Sequence, residues 1–315
     1  MNYDLSLLEL KIISLLDTAF SISELAERTS VTKGYTSRAV ASLKDKGFVE
    51  TSKRGITKKV TLSANLHASK LKTLLSRRSY MPFAELLQGS GLPIMAVLAS
   101  GSADFTILQD ESGVSETTLR RWIKKFKEHA LLMFQNNEYA LSHDLVDLKE
   151  FLDYYCSYSA ASILKEISPA GNFITAKGFE FIFSMKGEIV HENVKPSGLT
   201  AISEYIPLML AENHYFYSSR KLSLEEIAVH TIVIDPHSKR NLTYVILFIL
   251  KTELDRDIFL KIAKRYRVEE IAKSVLKLLN TWEKPEEPYI PDPAYVKEKL
   301  KEYKIKMEKN KYLLK

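Results

Sequence analysis

Apolar residues recur every three or four positions along 5–16 (LSLLELKIISLL), with Leu8, Ile12, Leu15 and Leu16 on one side, which predicts an opening amphipathic helix. Ser21-Ile22-Ser23 then introduces a second helix, SELAERT, with Ser23 as its expected N-cap. A tight turn over 29–32 leads into a third helical stretch, VTKGYTSRAVASLKDKG (31–47). There Thr32 is placed to cap the first turn, and Ala39, Val40 and Leu43 form an inward face. Lys33, Tyr35, Ser37, Arg38 and Ser42 fall largely on the other side, and Gly47 supplies the left-handed stop. The period then shortens to two: a strand over 48–51, a hairpin tip at 52–55 and a returning strand over 56–62. A further helix over 64–78 carries Leu66, Leu71, Leu74 and Leu75.

A second cycle starts at Met81-Pro82. Helices are expected over 92–98 and 104–113, then a third capped by Ser115 with Leu119, Trp122, Ile123 and Phe126 on its apolar face. Strands at 131–134 and 139–141 flank the turn residues Asn136-Asn137. Helix, helix, helix and hairpin thus occur twice, an internal repeat. A helix over 144–157 follows, and Pro169-Ala170-Gly171-Asn172 breaks the pattern. Short strands are expected at 173–176, 179–185, 188–191 and 215–218. Helices are expected from Gly198 and from Ser223, the latter with a capping-box Glu226, and over 241–250, 255–265 and 268–279. Pro285, Pro288, Pro291 and Pro293 make 284–293 a stiff linker. A last helix over 294–314 spaces Val296, Leu300, Tyr303 and Met307 among lysines.

Composition changes the picture little: 45% hydrophobic and 27% charged residues in 315 describe an ordinary soluble globular chain with room for several domains. The apolar run at 244–250 is far too short to span a bilayer, so no membrane partner is expected. Asp4, Glu9, Lys11 and Asp17 interrupt the first apolar stretch and exclude a signal peptide. The single cysteine, Cys156, forbids an internal disulfide, suits a reducing cytoplasm and is expected as a small buried apolar group. Charge is more informative. The formal balance is +6, yet residues 1–79 hold 14 Lys/Arg against 7 Asp/Glu, while residues 80–158 hold 6 against 11. The positive surplus sits in the first segment, where a phosphate-facing module would need it.

Two helices, a turn, a third helix and a basic hairpin are the order of the winged-helix variant of helix-turn-helix. The stretch SISELAERTSVTKGYTSRAVASLKDKGFVE resembles MarR-type winged-helix transcription regulators, through Leu25-Ala26, Val31-Thr32, Arg38-Ala39-Val40, Leu43 and Gly47-Phe48-Val49-Glu50. The resemblance covers roughly the first quarter of the chain. It implies sequence-specific binding of double-stranded DNA, with Thr32, Lys33, Gly34, Tyr35, Ser37, Arg38 and Ser42 on the reading helix. The wing contributes Lys53, Arg54, Lys58 and Lys59, with Arg54 approaching the minor groove. The chemistry of the residues agrees: Arg38 can offer a bidentate donor pair to guanine, and Lys53, Lys58 and Lys59 suit phosphates.

The expected fold class is therefore mainly α with small β (α+β). Tandem winged-helix domains at 1–79 and 80–158 precede a small helix-rich α+β domain at 159–282, then the Pro-rich linker and basic C-terminal helix at 283–315. In the second cycle Arg120, Arg121, Lys124 and Lys125 form a basic patch, but the acidic surroundings oppose phosphate binding, so DNA contact and a dimerising role are both open. The stretch GLTAISEY, a strand and LSLEEIAVHTIV vaguely resemble the C-terminal domain of AbiEi-type antitoxin and repressor proteins. That resemblance implies autoregulation of an operon and a protein partner at 159–282. A homodimer acting as a repressor is expected, with the antitoxin-like module as the alternative.

No Gly-rich nucleotide loop, HExxH, CxxC or G-x-S-x-G occurs, so neither catalysis nor a cofactor is expected. Gly101-Ser102 with Asp110-Glu111 superficially resembles a nucleotidyltransferase, but adjacent carboxylates cannot share one strand face to hold a metal. His230, Asp235 and His237 lack a helical ligand spacing, and no metal is expected there. His67, His191 and His214 are unpaired in sequence, and the aromatic group Tyr205, Tyr215 and Tyr217 is expected as core.

Overall fold

The computed structural model describes residues 3–54, 57–284 and 286–305. Two compact units are present, residues 1–163 with 176–179 and residues 164–175 with 180–315.

In the first unit α1 (Leu7–Leu15), β1 (Phe20–Ser21), α2 (Ile22–Thr29), α3 (Lys33–Asp45), β2 (Val49–Arg54), β3 (Thr57–Leu62) and α4 (Leu66–Arg77) follow in order. The strands form one antiparallel sheet, β1-β3-β2, in which Val49 lies opposite Leu62 and Phe20 opposite Val60. Ser21, not Ser23, caps α2. Its hydroxyl accepts from Glu24 N, and its own N–H donates to the Glu24 carboxylate at 2.5 Å. The reason is spacing: a capping box needs Glu three residues on, and only Ser21 has one. Ser30 ends α2 in the left-handed conformation (φ 59°), and Thr32 opens α3 two residues later. After α3, Gly47 adopts φ +74°, which lets the chain leave for β2.

The same unit continues with α5 (Phe83–Leu86), α6 (Gly91–Ala99), α7 (Phe105–Ser112), α8 (Glu116–Glu128), β4 (Leu132–Gln135), β5 (Glu138–Leu141) and α9 (Val146–Ile167, of which 146–163 belong here). The repeat extends to details. Gly113 ends α7 at φ 66° and Ser115 opens α8 two residues later, matching Ser30 and Thr32. Ala103 bridges Tyr139 of β5 just as β1 bridges β3. Asn136 and Asn137 both take positive φ, 52° and 61°, which a tight two-residue hairpin requires. One core spans both sets: Ile12, Leu25, Val40, Leu43 and Leu71 from the first, Leu98, Leu119 and Phe126 from the second, Leu148 and Phe151 from α9. Helix α9 runs well past the expected end at 157, because Ala160 and Ile163 keep the apolar spacing and stay buried. Cys156 is buried there, and burial pushes its thiol up.

The second unit holds β6 (Asn172–Lys177, of which 172–175 belong here), β7 (Glu180–Met185), β8 (Val194–Pro196), α10 (Gly198–Ile202) and β9 (Asn213–Tyr217), in the sheet order β6-β7-β9-β8. The expected strand at 188–191 is absent. Gly187 turns the chain (φ +86°), its carbonyl accepting from Asn213 Nδ2 and the Tyr215 hydroxyl, and Val190 stands fully exposed. The edge strand is Val194–Pro196 instead, antiparallel to β9 with Lys195 opposite Phe216. Helices α11 (Leu224–Ile234), α12 (Lys239–Lys251), α13 (Arg256–Arg265), α14 (Glu269–Thr281) and α15 (Pro293–Glu302) form a second core through Ile232, Ile246, Phe259, Val275 and Val296. Within 284–293 Ile290 is buried in that core, and α15 ends at Glu302, earlier than expected; residues 306–315 lie outside the described residues.

Tyr205 meets Phe248 edge-on, whereas Tyr215 and Tyr217 stack against Phe183 and Phe181. His230 is fully buried between the Ser197 hydroxyl (2.8 Å) and the Tyr266 hydroxyl (2.9 Å). Among the described residues no group of three or more His, Cys, Asp or Glu could hold a metal, and no helix is long and apolar enough to cross a membrane.

Candidate nucleic-acid interface

Helix α3 turns Thr36, Ala39, Val40 and Leu43 inward and leaves Lys33, Gly34, Tyr35, Ser37 and Arg38 exposed. Its start is held by Thr32, whose hydroxyl accepts from Tyr35 N at 3.4 Å while its carbonyl accepts from the Thr36 hydroxyl at 3.1 Å. The Arg38 guanidinium lies 5.7 Å from the Tyr35 ring centroid, so the aromatic face supports an otherwise extended side chain. Exposed donors on the first half and apolar anchors beneath suit a helix that enters a major groove.

Ser42, expected on the same face, is instead half-buried and donates to Glu9 Oε1 at 2.7 Å. That oxygen also receives Lys46 Nζ at 2.8 Å, and both Glu9 and Lys46 are buried. The other Glu9 oxygen accepts from Ser6 N at 2.6 Å, closing the capping box of α1. Burial alone would raise the Glu9 pKa, but the hydrogen bonds from Lys46, Ser6 and Ser42 outweigh it and hold the carboxyl below its ordinary value. Glu9 therefore fastens the start of α1 to the end of α3, fixing how the exposed face of α3 is presented. The cue was the Ser6-x-x-Glu9 spacing inside an apolar helix.

The end of α3 is secured a second way. His67 Nε2 lies 3.1 Å from the Lys46 carbonyl, and Asn65 Nδ2 donates to the Gly47 carbonyl at 2.8 Å. His67 is buried edge-on against Phe48, and burial lowers its pKa to about 4 despite the opposing pull of that carbonyl. The neutral ring donates from Nε2. On unfolding the ring regains its ordinary affinity, so the unfolded state takes up a proton that the fold refuses. Stability is complete above about pH 6.5 and falls as pH drops toward 4, by about 1.4 kcal/mol per unit. Thermal unfolding of a His67→Gln variant is expected to depend less steeply on pH across that window than the parent protein. An unchanged pH dependence would contradict the assignment.

On the wing, Lys53 pairs with Lys58 and Ser52 with Lys59 across the hairpin. Lys58 is exposed. Lys59 is half-buried and contacts Glu24 Oε2 at 3.1 Å, so it ties the wing to α2. Hydrogen bonds from the Ser21 N–H and hydroxyl, and then from Lys59, lower the Glu24 carboxyl to about 2. Gly55 and Ile56 lie outside the described residues, as do the side chains of Lys53 and Arg54.

The second patch divides. Arg120 is taken by Glu116 Oε1 (2.9 and 2.7 Å), and Lys125 donates to the Glu85 carbonyl at 3.0 Å. Arg121 and Lys124 are exposed.

Gly34 has open space around the position a Cβ would occupy. Gly34→Ala is expected to stabilise α3 by about 0.5 kcal/mol and to weaken duplex binding, because the added methyl stands where backbone and DNA would meet. Equal or tighter binding by the stabilised variant would argue against close approach at this turn.

Residues 3–55 match the model of the MarR family, and residues 191–305 match the C-terminal family model HVO_2833_C. No curated protein matches the chain. The N-terminal region is thus similar to the MarR family, and its helices and hairpin follow the winged-helix order.

Proposed function

We propose that the chain is a sequence-specific, double-stranded-DNA-binding transcription regulator. Helix α3 enters the major groove, and the β2–β3 wing lies along the adjacent backbone or in the minor groove. The observation that carries this is the exposed row Lys33, Tyr35, Ser37 and Arg38 on a helix anchored at both ends, within a MarR-family region that holds the chain's positive surplus. Arg38 reads a base edge; Lys33 and Lys58 meet phosphates. The protein acts as a homodimer on a pseudo-palindromic operator, and repression follows from occupying it.

A protein partner on the second unit, the antitoxin-like alternative, draws support from Val190 and Met209, large apolar side chains left almost wholly exposed there. It would keep the same DNA-binding head.

Titrating a labelled duplex with the full chain at several salt concentrations tests the proposal. Binding that weakens steeply with salt and survives a single-stranded competitor is expected. No binding at low salt would reject it.

A further inference from the structure

Beside α3 the first unit carries a groove with two unlike walls. Tyr35 and Arg38 of α3 form one, and Arg121 and Trp122 of α8 form the other. Glu9 and Lys46 also line it, but they satisfy each other at 2.8 Å, so the charges left facing the groove are Arg38, Arg121 and the Asp4 carboxylate. Asp4 is its remaining carboxylate, and burial disfavours the charged form of that group.

Helix α8 occupies in the second helix–hairpin set the place that α3 occupies in the first, with the same two-residue step from a left-handed helix end to its N-cap. Its cations are not equivalent: Lys124 is exposed but does not line the groove. Arg120 is held by Glu116, and Lys125 by a backbone carbonyl and the Trp122 ring at 5.1 Å. Lys127 lies over Phe134 and Tyr139. Arg121 is exposed and reaches the groove.

A helix lying in a major groove is flanked by the two phosphate ridges that border it. A concavity running beside that helix, with an arginine on each wall, is shaped to receive one of them. We propose that Arg121 grips a backbone phosphate of the same duplex that α3 reads, so that the second helix–hairpin set extends one DNA surface. The acidic balance of residues 80–158 weakens such a contact without removing it, because the contact needs one exposed arginine at the rim and no basic domain. Arg121 positions the duplex and reads no base.

The inference rests on the DNA-binding reading above, and the test separates the two. Full-length protein and the variants Arg121→Ala, Arg121→Lys and Arg120→Ala are titrated against a random-sequence duplex and against a selected site at several salt concentrations. Thermal unfolding confirms that each variant is folded. Arg121→Ala is expected to weaken both duplexes alike, by about 3–10-fold, and to lower the slope of log affinity against log salt by about 1. Arg121→Lys should keep the slope, and Arg120→Ala should match the parent protein. If the parent binds and Arg121→Ala keeps the full slope, the extended surface is wrong while α3 stands. If the parent binds no duplex, the underlying reading falls, and this inference with it.

Discussion

Replacing Glu9 with leucine is expected to destabilise the first unit by about 3–5 kcal/mol, the usual cost of leaving a buried charge without its partner. Lys46 is only 8% exposed, and its ammonium would keep the Asp4 carbonyl as an acceptor and the Asp4 carboxylate as a more distant opposite charge. Ser42 and the Ser6 N–H would lose their acceptor in the same step. The companion variant Lys46→Met should recover most of the loss when combined with Glu9→Leu, since two packed apolar groups replace the ion pair with little penalty. A chemical-denaturation cycle over the four proteins reads this directly. A Glu9→Leu protein as stable as its parent, or a double variant no better than the single, would show that the pair does not hold α1 to α3. The sign of the pH effect follows from the lowered Glu9 pKa. Its contribution is present above the ordinary carboxylate range and is lost as pH falls through the folded-state value. That window lies at more acid pH than the onset of the His67 effect.

Arg38→Ala is expected to cost about 1–3 kcal/mol of binding to a preferred site, and to relax the preference at one base position. Arg38 is exposed and lies over the Tyr35 ring, so the fold should be unaffected. Lys33→Ala, by contrast, should weaken all sequences by a similar factor, because a phosphate contact carries no base information. Measuring the Arg38→Ala protein on a preferred duplex and on single-base variants of it distinguishes the roles. Loss by a constant factor across the whole set would demote Arg38 to a backbone contact.

Helix α3 was legible because its cues are local. Thr32 as cap, apolar residues at 39, 40 and 43, and Gly47 at the end place α3 within a residue or two of its observed bounds. The Asn136-Asn137 turn and the Ser115 cap were legible for the same reason. What holds the helix was not. Glu9 and Lys46 are far apart in sequence, and nothing in a lysine at a helix end reveals that it turns inward. Ser42 sits at a spacing that suits either face, and the Glu9 carboxylate decides which. His67 and Asn65 reach back to the carbonyls of Lys46 and Gly47 from the far side of the wing, a contact that no periodicity encodes. In the second unit the short edge strand at Val194–Pro196 has too few residues to show alternation, whereas Ile189 and Val190 mimic it without pairing.

Selection of bound duplexes from a random pool tests most directly the proposal that α3 reads base sequence in double-stranded DNA. The selection should be run with the parent protein and with Arg38→Ala, each at low and moderate salt. The account predicts a pseudo-palindromic motif enriched by the parent at moderate salt, with one guanine in each half that Arg38→Ala no longer selects. No enriched motif, or the same motif from both proteins, would contradict it.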